Sequence, residues 1–141
     1  MGAAENAEAV RRGYDAFNSA DMETLTELFD ERAVWHVPGR SSFAGDHEGR
    51  EAVFAYFGRL GQETRGTFRA ELQHLLADGD RVVGIHHNSA ERDGKRMGKG
   101  HRGQQRRLDV DVCLVFRLED GRITEGVEHY RDLYAWDEFW S

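Results

Sequence analysis

Four short stretches carry the residues best suited to chemistry. VVGIHHNSAERDG, residues 82–94, sets His86 and His87 side by side in a strand-like run, with Asn88 after them. EGVEHY ends on Glu128, His129 and Tyr130, VRRGYDAF supplies Tyr14, and AVWHVPG supplies Trp35 and His36. A glutamate drawn into an apolar interior has its charged form disfavoured and its pKa raised, which makes it a usable base near neutral pH. An imidazole beside it would act as acid or as orienting partner, and a buried phenol as donor to developing negative charge. Which of these groups point inward depends on the strands that hold them.

Successive strand residues face opposite sides of a sheet, so at most one of His86 and His87 faces any one cavity. In RRLDVDVCLVFRLEDGRITEGVEHYRD the set Leu108, Val110, Val112, Leu114, Phe116 and Leu118 is wholly apolar and marks the inner face. The following strand depends on its turn. A three-residue Glu119-Asp120-Gly121 loop would pair Leu118 with Arg122, Leu114 with Gly126, Val112 with Glu128 and Val110 with Tyr130, turning Glu128 and Tyr130 inward. A two-residue Asp-Gly turn would instead bring Val127 and His129 inside. Both turns are allowed by the residues alone.

Upstream the texture is helical. Ala3, Ala7, Val10, Tyr14 and Phe17 form one stripe, and Asp21 is an N-cap for a second helix carrying Leu25, Leu28 and Phe29. RAVWHVPG reads as a strand ended by the only proline. After a Gly- and Ser-rich loop, REAVFAYFGRL reads as a third helix with Val53, Phe54, Phe57 and Leu60 on one face and Gly61 past its end. Beyond Gly66 come two strands turning at Asp78-Gly79, then the hairpin above, then a short tail helix with Leu133, Trp136 and Trp140. Helices first and a long antiparallel sheet after them is an α+β order within one domain of 141 residues.

Composition narrows the functional class. The net charge of −7, from 26 acidic and 19 basic residues, argues against a general nucleic-acid binder. RDGKRMGKGHRGQQRR, residues 92–107, runs against that trend with seven Lys and Arg and four glycines. A solvated hairpin loop is its ordinary reading, and a lid over an acidic ligand the sharper one. A single cysteine, Cys113, leaves no internal disulfide and no cysteine-based zinc site, and the histidines show no metal-ligand spacing such as HExxH. HEGRE, residues 47–51, reads only as the start of a helix. No metal, cofactor, nucleic acid or membrane is expected, and the cytoplasm is the expected location because no signal-peptide pattern or long apolar run occurs.

Residues 10–60, VRRGYDAF through AYFGRL, with DGRITEGVEHYRDLYAWDEFW, resemble the SnoaL-like branch of the nuclear transport factor 2-like fold. Relatives include ketosteroid isomerase, limonene epoxide hydrolase, scytalone dehydratase and polyketide cyclases. The resemblance implies a cone-shaped curved antiparallel sheet around three helices from the N-terminal half, an apolar internal pocket, and homodimers formed through the outer sheet face. Ketosteroid isomerase has its catalytic tyrosine where this chain has Tyr14, but its two aspartates fall on Val37 and Leu114. Limonene epoxide hydrolase places its two aspartates on His86 and Glu128, and its arginine on Gly84. Both relatives make positions 86 and 128 pocket-facing, and ketosteroid isomerase does so for 130, which favours an inward Glu128.

The expectation that follows is an enzyme without cofactor, acting on a hydrophobic metabolite by acid–base chemistry: epoxide opening or hydrolysis, cyclisation, or a related isomerisation. Glu128, His86 and Tyr14 would be catalytic. Trp35 or His36, Asn88, Tyr130, Phe57, Val112 and Leu114 would bind substrate. A non-catalytic module holding a small molecule in the same pocket is the alternative. A third reading is an interaction protein using an outer face on which Cys113, Val115, Ile123 and Val127 would cluster.

Overall fold

The structure is a computed structural model that describes residues 2–94 and 105–141. Most of the basic loop, and with it any lid role, lies outside the described residues. The elements run α1 (Ala3–Asn18), α2 (Met22–Leu28), β1 (Phe29–Val37), β2 (Gly45–Glu48), α3 (Arg50–Glu63), β3 (Arg69–Asp78), β4 (Arg81–Arg92), β5 (Arg106–Glu119), β6 (Arg122–Tyr130) and α4 (Leu133–Trp140). The strands form one curved sheet in the order β2-β1-β6-β5-β4-β3, and the helices of the N-terminal half pack on its inner face around one apolar cluster. Asp21 caps α2 by accepting from the Thr24 amide, and Asp132 does the same for α4 with Ala135.

Four details correct the sequence reading. The sheet is mixed, because β1 and β6 run parallel. Lying far apart in the chain, they escape the hairpin constraint that forces sequence-adjacent strands to be antiparallel. Phe29 begins β1 instead of ending α2, and HEGRE includes the end of edge strand β2. Gly61 lies within α3, and the left-handed stop comes later, at Arg65 and Gly66.

The β5–β6 hairpin takes the two-residue turn and not the three-residue loop. Glu119 pairs with Arg122 across a two-residue loop in which Asp120 (φ 51°) and Gly121 (φ 77°) are both left-handed. That turn alone would put Val127 inside. A bulge then restores parity: Leu118 pairs with Ile123 but Arg117 with Glu125, leaving Thr124 as the extra residue. Ile123 therefore faces the core at 1% exposed, correcting its placement on the outer face. Gly126, Glu128 and Tyr130 turn inward as well, with Glu128 opposite Leu114 and Tyr130 opposite Val112, two residues from the expected register.

Two inner-face glycines are spaces for neighbouring rings, not open volume. A Cβ on Gly84 would collide with the Tyr14 hydroxyl, and one on Gly126 with the Trp35 indole. Trp35 lies beside Gly126 on the parallel strand β1, so the missing side chain lets its indole lie over β6. Gly126→Ala should therefore destabilise the fold by about 1–3 kcal/mol, the usual cost of overpacking a filled site. A denaturation midpoint unchanged from wild type would show that the indole has room to withdraw.

Candidate functional site

β4, β5 and β6 present their inner residues in rows. Gly84, Leu114 and Glu128 form one row, His86, Val112 and Tyr130 the next, and Asn88 and Val110 a third. Tyr14 from α1 and Tyr56 from α3 reach in from the opposite side, and Trp35 reaches in from β1, the strand beside β6 in the same sheet. Together with Phe17, Phe57, Phe68, Leu114 and other apolar side chains they line one narrow cavity of about 60 Å³.

Glu128, 7% exposed, is held by three donors. The Trp35 indole N–H donates to Oε2 at 2.7 Å, and the Tyr56 hydroxyl to the same oxygen at 2.9 Å. The Tyr130 hydroxyl donates to Oε1 at 2.6 Å. Burial raises the Glu128 pKa, and the three donors, Tyr130 foremost, pull it back in part. Burial and the facing carboxylate push both phenols well above the ordinary tyrosine value, so they stay protonated and remain donors. A carboxylate has about four acceptor positions. The fourth, on Oε1, is where a proton can arrive.

His86 forms the second pole. It is 4% exposed, and its Nδ1 lies 2.6 Å from the Tyr14 hydroxyl. Burial lowers its pKa from 6.5 to about 4, so it is neutral across the physiological range. A phenol is the stronger acid of this pair and imidazole nitrogen the stronger base, and the short contact suits an O–H donor. Tyr14 thus gives its proton to Nδ1, which leaves the other hydrogen on Nε2. The expected roles shift accordingly: Tyr14 fixes a tautomer instead of offering its proton to the cavity, and His86 offers an N–H donor instead of a transferable acidic proton. Asn88, 3% exposed, follows on the same face. Its side chain is near enough to His86 to favour the charged ring, and Oδ1 has no hydrogen-bond partner among the described residues.

The remaining sequence candidates divide clearly. Trp35 takes the pocket position. His36 faces out, its ring bonded by Asp46 at 2.6 Å and Glu125 at 2.9 Å, because only odd positions of this part of β1 turn inward. Phe57 and Leu114 line the cavity, whereas Val112 is buried beneath it without lining it. Tyr56 was missed. Val53, Tyr56 and Leu60 are the buried stripe of α3, and the three-residue step from Val53 was its only signal. His47 stacks on Tyr56, with ring centroids 4.8 Å apart, and donates from Nε2 to the Phe43 carbonyl at 2.8 Å. Among the described residues no His, Cys, Asp and Glu cluster is suited to a metal ion, and no helix is long and apolar enough to cross a membrane.

The depressed His86 pKa makes a signed prediction. Stability from keeping this ring neutral is fully present above the unfolded value of 6.5 and is lost as pH falls toward 4, about 3 kcal/mol in all. Glu128 has the opposite sign, its contribution falling as pH rises through its raised pKa. The comparison of wild type with His86→Gln isolates the first effect: the variant should lose less stability between pH 6.5 and 4. Titration of the histidine ring protons should place His86 near 4 and His87 above 6.5, since the Asp111 and Asp109 carboxylates raise the latter. Equal pH slopes for the two proteins would contradict a neutral buried His86.

The sequence model of the SnoaL-like domain matches residues 10–126. An uncharacterised protein of Mycobacterium tuberculosis (strain H37Rv) is 30% identical over 135 residues, 95% of each chain. Among solved structures, Bal32a from a soil-derived mobile gene cassette is 61% identical and superposes with a TM-score of 0.89, over 99% of this chain and 98% of that one. IdmH of Streptomyces antibioticus, described as a proposed polyketide cyclase, is 24% identical with a TM-score of 0.70, over 89% and 91% of the two chains, a likeness of fold. The chain belongs to the SnoaL-like family.

Proposed function

We propose that the chain is an enzyme that works on a hydrophobic small molecule by general acid–base chemistry. The observation that carries this reading is a buried carboxylate with one acceptor position left over, opening on the same cavity as a neutral imidazole N–H. Glu128 Oε1 takes the proton of a water or of a hydroxyl on the substrate as that oxygen attacks carbon. The carbon–oxygen bond of an epoxide, or the π bond of a carbonyl, breaks, and its electron pair collects on the oxygen beside His86 Nε2–H. A neutral imidazole donor suits this task because it polarises without first giving up a proton. Glu128 then returns its proton to that oxygen. Epoxide opening by water, ring closure by an internal hydroxyl, and isomerisation by proton removal next to a carbonyl all use the same parts. The polyketide-cyclase assignment of IdmH agrees with the cyclisation branch. The free space is narrow, so a substrate enters by displacing the half-buried rings of Phe17, Phe57 and Phe68 that pack edge-on at 5.2 and 5.9 Å.

Glu128→Gln keeps the shape and removes the base, and turnover should fall at least ~10²-fold. The assay is a panel of epoxides and of hydroxy-ketones able to cyclise, screened first with wild type. With any substrate found, activity should rise with pH through the raised Glu128 pKa and then level off. Wild-type rates in the Gln variant would sink the assignment.

One observation favours a second reading, a binding module: three donors already satisfy most of Glu128's acceptor capacity. In that case ligand would be recovered chemically unchanged after long incubation. For either reading we propose a homodimer through the outer sheet face. Val83, Ile85, Val115 and Val127 form a half-buried apolar band there, with Leu76 at 57% exposed beside Val83. Light scattering should give twice the chain mass for wild type and the single mass for Val115→Glu.

A further inference from the structure

The mechanism above makes no use of Asn88, although Asn88 is among the least comfortable residues in the interior. It is 3% exposed and lines the cavity, and its Oδ1 meets no hydrogen-bond donor. Its neighbours across the sheet, Ala70 on β3 and Val110 on β5, are apolar and offer no partner. His86 is near enough to feel the amide, yet no hydrogen bond joins its ring to Oδ1. Buried amides in folded proteins are nearly always satisfied, and an orphan invites an explanation. A leucine, with the same branching and no polar atoms, would fill this position without stranding a carbonyl. The amide therefore lowers stability where it stands, which is the mark of a group kept for something that binds.

We propose that Asn88 is a specificity-determining residue whose Oδ1 receives an O–H or N–H of the substrate, on the same molecule as the oxygen that His86 polarises. The inference rests on the acid–base reading of the cavity and narrows its substrate class. An acceptor without a donor asks for a donor-bearing ligand. Asn88 lies two residues from His86 on one strand face, so the two side chains address neighbouring parts of a bound molecule. Glu128 lies two strands away, ~9.6 Å across the sheet, and four residues along, ~13 Å at ~3.3 Å per residue, about 16 Å in all and at the other end of the row system. The substrate is thus an apolar carbonyl compound or epoxide carrying a hydroxyl or N–H remote from the atom at which Glu128 acts. A pocket built to bond a hydroxyl rejects the analogue that lacks it, because the buried acceptor is then left unpaired.

The test compares 3-hydroxyacetophenone with 3-methylacetophenone, which share a carbonyl and differ by a donor of methyl size. Dissociation constants are measured by NMR titration against wild type, Asn88→Leu and Glu128→Gln. Wild type should favour the hydroxy compound, and Asn88→Leu should reduce that preference by about tenfold. Glu128→Gln should leave it in place, and Asn88→Leu should raise the thermal midpoint. A preference unchanged in Asn88→Leu overturns the assignment and leaves the acid–base reading standing. A preference lost in Glu128→Gln alone shows that Glu128 reads the hydroxyl, which also overturns it. Failure of both ketones to bind wild type at millimolar concentration counts against this inference and the cavity reading together. The wild-type Asn88 carboxamide signals give a readout that needs no variant. They should move with the hydroxy compound and stay still with the methyl one, and equal movement refutes the proposal.

Discussion

The burial of the Glu128 carboxylate is the constraint around which the interior is arranged. An unpaired carboxylate moved out of water costs several kcal/mol even after relaxation. Each hydrogen bond to a charged group returns about 1.5–3 kcal/mol, so three donors bring the site near balance while one would not. The donors come from separate elements: Trp35 from β1, Tyr56 from α3 and Tyr130 from β6 itself. The cage therefore ties helix, parallel strand and hairpin to one point. It also requires the space at Gly126 through which the indole reaches its acceptor. Loss of any donor leaves a partly solvated or unpaired charge in an apolar cavity, which disturbs fold and site together.

The same physics sets the two poles of the cavity in opposite directions. Burial disfavours charge wherever it falls, so it raises the carboxylate of Glu128 and lowers the imidazole of His86. His87, one residue on, shows how local this is. Strand alternation turns it to the outer face, where Asp111 and Asp109 bond its ring at 2.8 and 3.2 Å and raise its pKa. His36 is treated alike by Asp46 and Glu125. Two adjacent histidines of identical chemistry are thus driven apart by nothing more than the pleat of the strand. The inner one is a neutral donor and the outer one favours its charged, ion-paired form.

Much of this was legible in the chain because it rests on period-two alternation. The apolar even positions of β5 fix its inner face, and the inner sides of β4 and β6 then follow from pairing. The facing of β6 was the weak point, and the reason is physical. Periodicity cannot see a bulge, which adds one residue and reverses parity while leaving composition unchanged. The resemblance to known folds favoured the inward Glu128, but the inferred register was off by two, and Ile123 was assigned to the wrong side. Tyr56 escaped because one apolar stripe on a short helix accommodates Phe54, Tyr56 and Phe57 about equally well. The use of Gly84 and Gly126 was hidden because a missing side chain does not say which ring will fill its place.

The local rules that this sequence breaks lie together. An ordinary inner strand face carries Val, Ile, Leu and Phe, and β5 obeys without exception from Leu108 to Leu118. On β4 the corresponding positions read Gly84, His86 and Asn88, and on β6 they read Gly126, Glu128 and Tyr130. Each of these residues is a poor choice for filling a core: the glycines weaken the strand, and the polar groups need partners. Five of the six are accounted for by a partner or a ring in the structure. Gly84 admits Tyr14, Gly126 admits Trp35, His86 bonds Tyr14, and Glu128 and Tyr130 bond each other. Random drift would scatter such departures over the sheet. Here they flank one obedient strand, the four polar ones line one cavity, and of the six only Asn88, at the end of that path, has no partner among the described residues.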